Sequence, residues 1–541
     1  MNNIKTKLLL VLILLLSLFL RIYHVSSNPP SLYWDEVAMG YNVMSLLKTG
    51  ADEYGRQHPF FFESFQDYKL PGYIYSLVPI IKFFGSSELS IRLPAIIYGV
   101  ATVWFLYLLA KRLFNERIGL LSAFSLAVSP WHIQFTRAGF EASGSLAFVI
   151  LGIYLLHKGL DNKIYFHLGY IILILAICFY NGVRDDVPGV LFFFLLFFWR
   201  QLKLNLKDLF IFLVIFFIYI LPIVTQFVSS TSLIRFSYVS VFSDNSGLAT
   251  IAQERLKEGN NQLSAAFHNR YLYFTNKIIN SYLANYNPAF IFFGEDANVR
   301  HSVPNTGFIS IWKLPFILLG IMILFRRNDK SLKILIPLLI MSPIATAFTI
   351  PSPHALRSLS MLPVILIFFA VGINYFFFKL SKTKMFWLGF IIIIAVFTKA
   401  QYLNELLVDY PSISSRDWAY GYKQIFIDLP KYKNQYKNIY ITGRYWRPYI
   451  FMLYYTNYPP QNYLQHISHN HIGNYYFGYA GYDSSDPIYD YEYMKNIEPE
   501  ILSDSNTLRI IAPDEKTSND RVIETINDLE NKPLFLFVRK T

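Results

Sequence analysis

Between residues 31 and 71 the chain carries charged groups in a pattern suited to group transfer: Asp35 and Glu36 lie side by side after Tyr33 and Trp34, and Lys69 stands two residues before Pro71. A carboxylate within hydrogen-bond reach of an acceptor hydroxyl acts as a general base as that hydroxyl attacks an anomeric carbon. Phosphate is a good leaving group and needs charge neutralisation more than a proton donor, so cations placed over it carry much of the catalysis. Lys69, Arg137 and Arg357 are such cations, lysine as a point charge and arginine as a planar fork. Glu141 follows Arg137 by four residues, a spacing that allows an ion pair on a helix. An exposed pair of that kind contributes only ~0.3–0.5 kcal/mol, a weak reason to place two charges at the mouth of an apolar segment, so a functional role is preferred. Two more polar clusters, Tyr180-Asn181-Gly182-Val183-Arg184 and Arg300-His301-Ser302-Val303-Pro304, fall at similar boundaries.

Several chemistries have no residues to perform them. The chain has no G-x-G-x-x-G, no Walker-type phosphate loop and no H-E-x-x-H. A phosphate-bearing substrate must therefore come through the membrane or lie in it. His466, His469 and His471 sit in a Tyr-crowded stretch, 462–493, but no Cys or nearby carboxylate cluster completes a metal site there. That stretch reads as an aromatic surface loop suited to contacting sugar. No metal or other cofactor is expected; a divalent metal is compatible with the chemistry but has no support in the residues.

The elements that must position these groups follow from composition. Of 541 residues, 54% are hydrophobic and only 16% charged, against about 25% charge in a soluble domain, so the chain is expected to be a polytopic α-helical membrane protein. Runs of ~20 apolar residues mark spans, at approximately 7–25, 91–110, 117–130, 141–157, 164–180, 187–200, 208–228, 307–325, 332–350, 355–378 and 384–400. That makes about eleven crossings, the third and sixth short. Residues 70–84 are apolar but short and are expected to form a helix on the outer surface. Short basic loops recur on every second side: Lys111-Arg112, Lys158 and Lys163, Arg200 to Lys207, Arg326-Arg327, and Lys379 to Lys384. By the positive-inside rule these are cytoplasmic, as is the N-terminus, and the net charge of +12 is topological rather than a sign of nucleic acid. The loops at 31–71, 137–141, 184–186, 229–306 and 351–357 then face outside, together with the C-terminus. The first helix is read as uncleaved, because Arg21-Ile22-Tyr23-His24 follows it in place of a small-residue cleavage site. The single Cys178 allows no internal disulfide. The chain divides into a membrane domain, 1–400, and an extracytoplasmic α/β domain, 401–541. In the latter, β-rich runs at 438–442, 508–511 and 534–538 alternate with helical patterns at 416–434 and 520–530.

Tyr33-Trp34-Asp35-Glu36, Asp67-Tyr68-Lys69-Leu70-Pro71, Glu88-Leu89-Ser90-Ile91-Arg92-Leu93-Pro94, Ser129-Pro130-Trp131-His132, Thr136-Arg137-Ala138-Gly139-Phe140-Glu141 and Pro353-His354-Ala355-Leu356-Arg357-Ser358 together resemble a known family. It is the bacterial branch of the protein O-mannosyltransferase and aminoarabinose transferase group, the GT-C fold glycosyltransferases of family 39. The resemblance implies a polyprenyl-phosphate sugar donor and inverting transfer on the extracytoplasmic side of the cell membrane. The acceptor would be a lipid, a cell-surface glycan or a protein. It implies that Asp35 is the catalytic acid residue with Glu36 in support, that Lys69 contacts the donor phosphate, and that Arg137 is a functional arginine. It adds His354 to a substrate-binding set of Lys69, Arg137, Glu141, Tyr180, Arg184, Arg300, His301, His354 and Arg357. Several family members place an aspartate a little beyond the arginine, where this chain has Glu141. A transporter or flippase of lipid-linked glycans is the alternative; it would place ionisable residues near mid-membrane on broken helices and show inverted repeats, neither of which the sequence displays.

Overall fold

The computed structural model describes residues 3–65, 67–228, 239–243, 246–294, 296–380, 383–445, 447–478 and 491–541. Parts of the long outer segment expected at 229–306, and the end of the Tyr-rich stretch, lie outside these residues. The chain packs as two units: Met1–Tyr23 with Ala95–Glu405, and His24–Pro94 with Leu406–Thr541. Residues 24–94 therefore group with the C-terminal residues.

The first unit is helical. Glu88–Leu113, Met361–Phe378 and Lys384–Ile413 are long and apolar enough to cross a membrane, and Glu116–Ala127 with Pro130–Arg137 form a further pair bent by 57°. Asn115 starts the first of that pair, its side chain accepting from the N–H groups of Arg117 and Ile118 at 3.0 and 3.1 Å. Pro130 starts the second; with no N–H and a fixed φ it opens a new helix rather than continuing the old one. In place of one expected span at 117–130, the helix stops at Ala127 and a second, bent away from it, follows from Pro130. Other expected spans are shorter apolar helices, among them Ala142–Lys158, Lys163–Ile177 and Asp186–Leu202. Leu314–Arg326 and Met361–Tyr375 approach closely at Gly320 and Gly372. A Cβ on Gly320 would lie 2.0 Å from the Phe368 carbonyl oxygen, and one on Gly372 1.8 Å from that of Phe316. Small residues permit this contact, which suits helices whose association rests on packing rather than on escape from water.

In the second unit, the polar stretch that reads as a loop forms a 16-residue helix, Trp34–Thr49, and a short hairpin, Phe62–Ser64 with Asp67–Lys69. Gly50, at φ +75°, ends the helix in the left-handed conformation that glycine adopts without strain. Pro71–Phe84 is a helix with Pro71 at its first position. The C-terminal residues build a six-stranded sheet. Its centre is parallel: Asn438–Ile441 pairs with Tyr475–Phe477 on one side and Thr507–Ile511 on the other. Pro533–Lys540 and Asp520–Asn527 extend it antiparallel. The expected helix at 520–530 is thus a strand. Val522, Ile523, Thr525 and Ile526 are β-branched and fit a pleated surface, and the turn at Asp528 returns the chain onto 533–540, with the Asp528 N–H donating to the Lys532 carbonyl at 2.8 Å.

Candidate functional site

Asp35 and Glu36 occupy the first turn of Trp34–Thr49, where the helix dipole favours negative charge. They face different surroundings. Glu36 is fully buried and bound to a fully buried Arg92, Nε to Oε1 at 3.0 Å and Nη2 to Oε2 at 3.3 Å. Its Oε2 also accepts from the Tyr33 N–H at 3.3 Å, closing the start of the helix. Arg92 further donates to the carbonyls of Val25, Pro29 and Ser31 at 2.7, 2.9 and 2.5 Å, so one guanidinium gathers the whole approach to the helix. Trp418 packs against the same centre, its ring 5.8 Å from Arg92 Cζ and 5.4 Å from Tyr33. The carboxylate of Glu36, expected to support Asp35, is thus fully buried against Arg92 and holds the start of the helix.

Asp35 is 32% exposed, and its Oδ1 is bound by Lys69, which is 7% exposed. The hairpin register, Phe62 opposite Lys69, presents the ammonium to the helix start, and the Phe65 ring lies 5.9 Å from Nζ. Deeper in this unit is a carboxylate that sequence reasoning missed. Glu53 is 1% exposed. Asn42 Nδ2 donates to its Oε1 at 3.2 Å, Ser64 Oγ donates to the same atom at 3.3 Å, and its N–H donates to Asn42 Oδ1 at 3.0 Å. Burial pushes the Glu53 carboxyl up to about 8, against the pull of the Asn42 and Ser64 hydrogen bonds and the Lys69 charge. Glu53 thus ties Trp34–Thr49 to the hairpin as a largely protonated acid at neutral pH. Within the same unit, Tyr458, Asn462, His466, Asn470 and His471 line an open cleft of about 640 Å³.

A second cluster forms in the other unit and gathers motifs that lie far apart in sequence. His301 and His354 are 4% and 8% exposed, with ring centroids 4.7 Å apart. Asp296, also missed in the sequence, joins them. His301 Nδ1 lies 3.2 Å from both of its carboxylate oxygens, and the Ala355 N–H donates to Oδ2 at 2.7 Å. Burial disfavours the charged form of Asp296, but the His301 hydrogen bond and the neighbouring imidazoles outweigh it and hold the carboxyl below its usual range. Burial pushes both imidazoles down. Ligand atoms of the three side chains lie within 4.8 Å of one another, the one group among the described residues with spacing fit for a metal ion. Two imidazoles and a carboxylate are a donor set for a divalent transition metal. Trp131 Nε1 donates to the Ala355 carbonyl at 2.9 Å, and Gln134 Nε2 to that of Arg300 at 2.8 Å. The helix Pro130–Arg137 is therefore a brace for the two histidine-bearing loops, through Trp131 and Gln134. Arg357 Nη1 donates to Thr349 Oγ1 at 2.7 Å within one of those loops.

The remaining expected residues are dispersed. Arg137 is 1% exposed, and its Nη1 donates to the Leu20 and Arg21 carbonyls at 2.8 and 3.4 Å, capping the helix Asn3–Ile22. A cation at a helix C-terminus is bound by orphan carbonyls in this way. Glu141 stands at the start of Ala142–Lys158, while Tyr180 and Arg184 flank the short turn Asn181–Val183.

Residues 69–225 match the family described as dolichyl-phosphate-mannose-protein mannosyltransferase. No curated protein sequence matches the chain. Among solved structures, ArnT from Cupriavidus metallidurans in the apo state superposes with a TM-score of 0.52 at 11% identity, covering 99% of this chain and 98% of that one. The same enzyme bound to undecaprenyl phosphate gives 0.50 at 11% identity, over the same shares. The Archaeoglobus fulgidus oligosaccharyltransferase in complex with Zn and sulfate gives 0.51 at 14% identity, over 82% of this chain and 61% of that one. The chain thus spans less than two thirds of the archaeal enzyme's length. At these identities the likeness establishes a shared fold.

Proposed function

We propose that this chain, a multi-pass membrane protein with the fold of the GT-C glycosyltransferases, moves a sugar from a polyprenyl-phosphate donor to a hydroxyl, amine or phosphate acceptor outside the cytoplasm. The observation that carries the reading is the one-third exposed Asp35 held by Lys69 at the start of Trp34–Thr49, in a fold shared with an enzyme bound to undecaprenyl phosphate. Asp35 takes the acceptor proton. The acceptor atom bonds to the anomeric carbon from the face opposite the phosphate, the bond from carbon to phosphate oxygen breaks, and polyprenyl phosphate leaves with the sugar inverted. Lys69 neutralises Asp35 in the free protein. A donor phosphate competes for the same ammonium, so donor binding releases Asp35 to act as base. Chemistry and donor occupancy are coupled through one side chain.

In this reading about eleven spans place the N-terminus inside and the α/β domain outside, and the cleft at 458–473 offers hydroxyl and imidazole groups to an acceptor. Transfer of radiolabelled sugar from a polyprenyl-phosphate donor, in membranes carrying wild type or Asp35→Asn, tests the proposal. Loss of transfer at equal protein level is expected; undiminished transfer removes the base and with it the reading. The response of wild-type transfer to a chelator measures whether a cation at Asp296, His301 and His354 takes part.

A further inference from the structure

The cleft at 458–473 contrasts with the charged start of Trp34–Thr49 in what it leaves out. Among the described residues that line it there is no lysine, arginine, aspartate or glutamate. Tyr463 and Asn470 are buried, and Tyr458, Asn462, His466 and His471 are half-buried or exposed. A hydroxyl, an amide and a neutral imidazole each donate and accept, as a sugar hydroxyl does. Tyrosine adds an apolar face with a polar handle, which matches a sugar ring whose C–H face is edged with hydroxyls. A charged ligand finds no fixed counter-charge here, and desolvating it without one is costly.

The walls are held by specific contacts. Ser468 Oγ accepts from the N–H groups of Asn470 and His471 at 3.2 and 3.3 Å, which closes the turn between them. His471 pairs across the sheet with Tyr476, ring stacked on ring at 5.9 Å and 20°. Pro460 opens the short helix Pro460–Gln465, which carries Asn462 and Tyr463. The space enclosed, about 640 Å³, falls within the roughly 300–1,000 Å³ of small-molecule sites and exceeds the need of one sugar ring.

The same wall is fastened to the helix that carries Asp35. Tyr41, fully buried on Trp34–Thr49, meets the Tyr463 ring edge-on at 6.1 Å, and its hydroxyl donates to the Tyr458 carbonyl at 3.3 Å. Further along, Gln461 Nε2 donates to the Lys48 carbonyl at 3.4 Å. At a rise of 1.5 Å per residue, Tyr41 and Lys48 stand about 9 and 20 Å along the helix from Asp35. That separation exceeds one sugar ring and suits a short chain of them. We infer that the cleft binds uncharged sugar units of an oligosaccharide acceptor, whose terminal hydroxyl extends along Trp34–Thr49 towards Asp35. The inference rests on the proposed transfer for Asp35 as the base, and it commits the acceptor to a neutral glycan.

Binding is read without turnover, so failure of this inference and failure of the transfer reading are distinguishable. The full chain in phosphatidylcholine nanodiscs is titrated by calorimetry with neutral tetrasaccharides of mannose, glucose, galactose and N-acetylglucosamine. Tetragalacturonate and a serine- and threonine-rich hexapeptide serve as the charged and peptide alternatives. Wild type is compared with Tyr458→Ala and His466→Ala, two changes at the rim, and with Asp35→Asn. At least one neutral tetrasaccharide is expected to bind wild type and Asp35→Asn equally and each rim variant roughly fivefold more weakly, the worth of one hydrogen bond. In a transfer assay the KM for that tetrasaccharide is expected to rise by the same factor in the rim variants. No saturable binding of any neutral tetrasaccharide, or unchanged affinity in both rim variants, overturns the site. Tetragalacturonate or the peptide binding as tightly as the best neutral sugar overturns the neutral-glycan assignment. Binding of a tetrasaccharide that accepts no sugar, in membranes that transfer to another acceptor, overturns the acceptor role.

Discussion

Two carboxylates adjacent in sequence end in opposite circumstances. Glu36 meets Arg92 with both side chains at 0% exposure, inside a net of backbone carbonyls. Asp35, one residue earlier, meets Lys69 with a third of its own surface open. Successive residues on a helix point about 100° apart, so a single turn serves an interior clasp with one side chain and an accessible pair with the next. The buried pair sets where the helix begins, and that start places the accessible pair. Burial and partner, rather than charge or position in the motif, separate the residue that holds the helix start from the residue that stays accessible.

Substitutions that sharpen or break this contrast differ in size. Asp35→Asn is expected to lower transfer by about 10²–10⁴-fold with little change in melting temperature, and a sugar-transfer assay paired with a thermal melt separates the two. Glu36→Ala reverses the pattern. It strands the buried Arg92 and is expected to cost about 3–5 kcal/mol of stability, read as lost folded protein by size-exclusion chromatography, while whatever folds keeps its transfer rate per molecule. Equal effects of the two substitutions on both readouts would erase the distinction. Lys69→Ala should raise the donor KM by roughly 10–100-fold, the worth of a charge-assisted hydrogen bond of about 1.5–3 kcal/mol, and leave the acceptor KM nearly unchanged; the opposite split puts Lys69 on the acceptor.

The smallest effect concerns Glu53. Its carboxyl is raised from 4.5 to about 8 in the folded protein, so between those values the folded state binds more protons than the unfolded chain and stability falls as pH rises. Glu53→Gln removes that slope. The variant's unfolding free energy relative to wild type should climb from pH 5 to pH 8, by no more than about 1.4 kcal/mol per pH unit, and level off above, as read by denaturant unfolding at each pH. A flat difference would mean that Glu53 ionises normally.

Some of this was legible without coordinates. Strands at 438–441, 507–511 and 533–540 follow from runs of Ile, Leu, Phe and Val whose local pattern agrees with their final pairing. Asp35 and Lys69 stood out because ionisable groups beside an apolar helix are costly unless used. Other features were hidden for identifiable reasons. The helix Trp34–Thr49 has weak amphipathicity, since ten of its residues are buried all round, so no periodic stripe announces it. Asp520–Asn527 carries charges that imitate a helical face, and only its partner strand decides the matter. Asp296 and Glu53 each follow another acid in the sequence, Glu295 and Asp52, with nothing local to set them apart; what distinguishes them is a histidine five residues on in one case and a hairpin folded back over the chain in the other.

The sequence by itself determined the solvent in which this protein folds and the segments able to satisfy their own backbone. Those properties depend on local composition and on hydrogen bonds closed within a few residues. Only the tertiary structure decided which charge meets which. Arg92 lies 56 residues from Glu36 and Lys69 lies 34 from Asp35, and an ion pair over such separations exists only once packing has brought the two side chains together and excluded water between them.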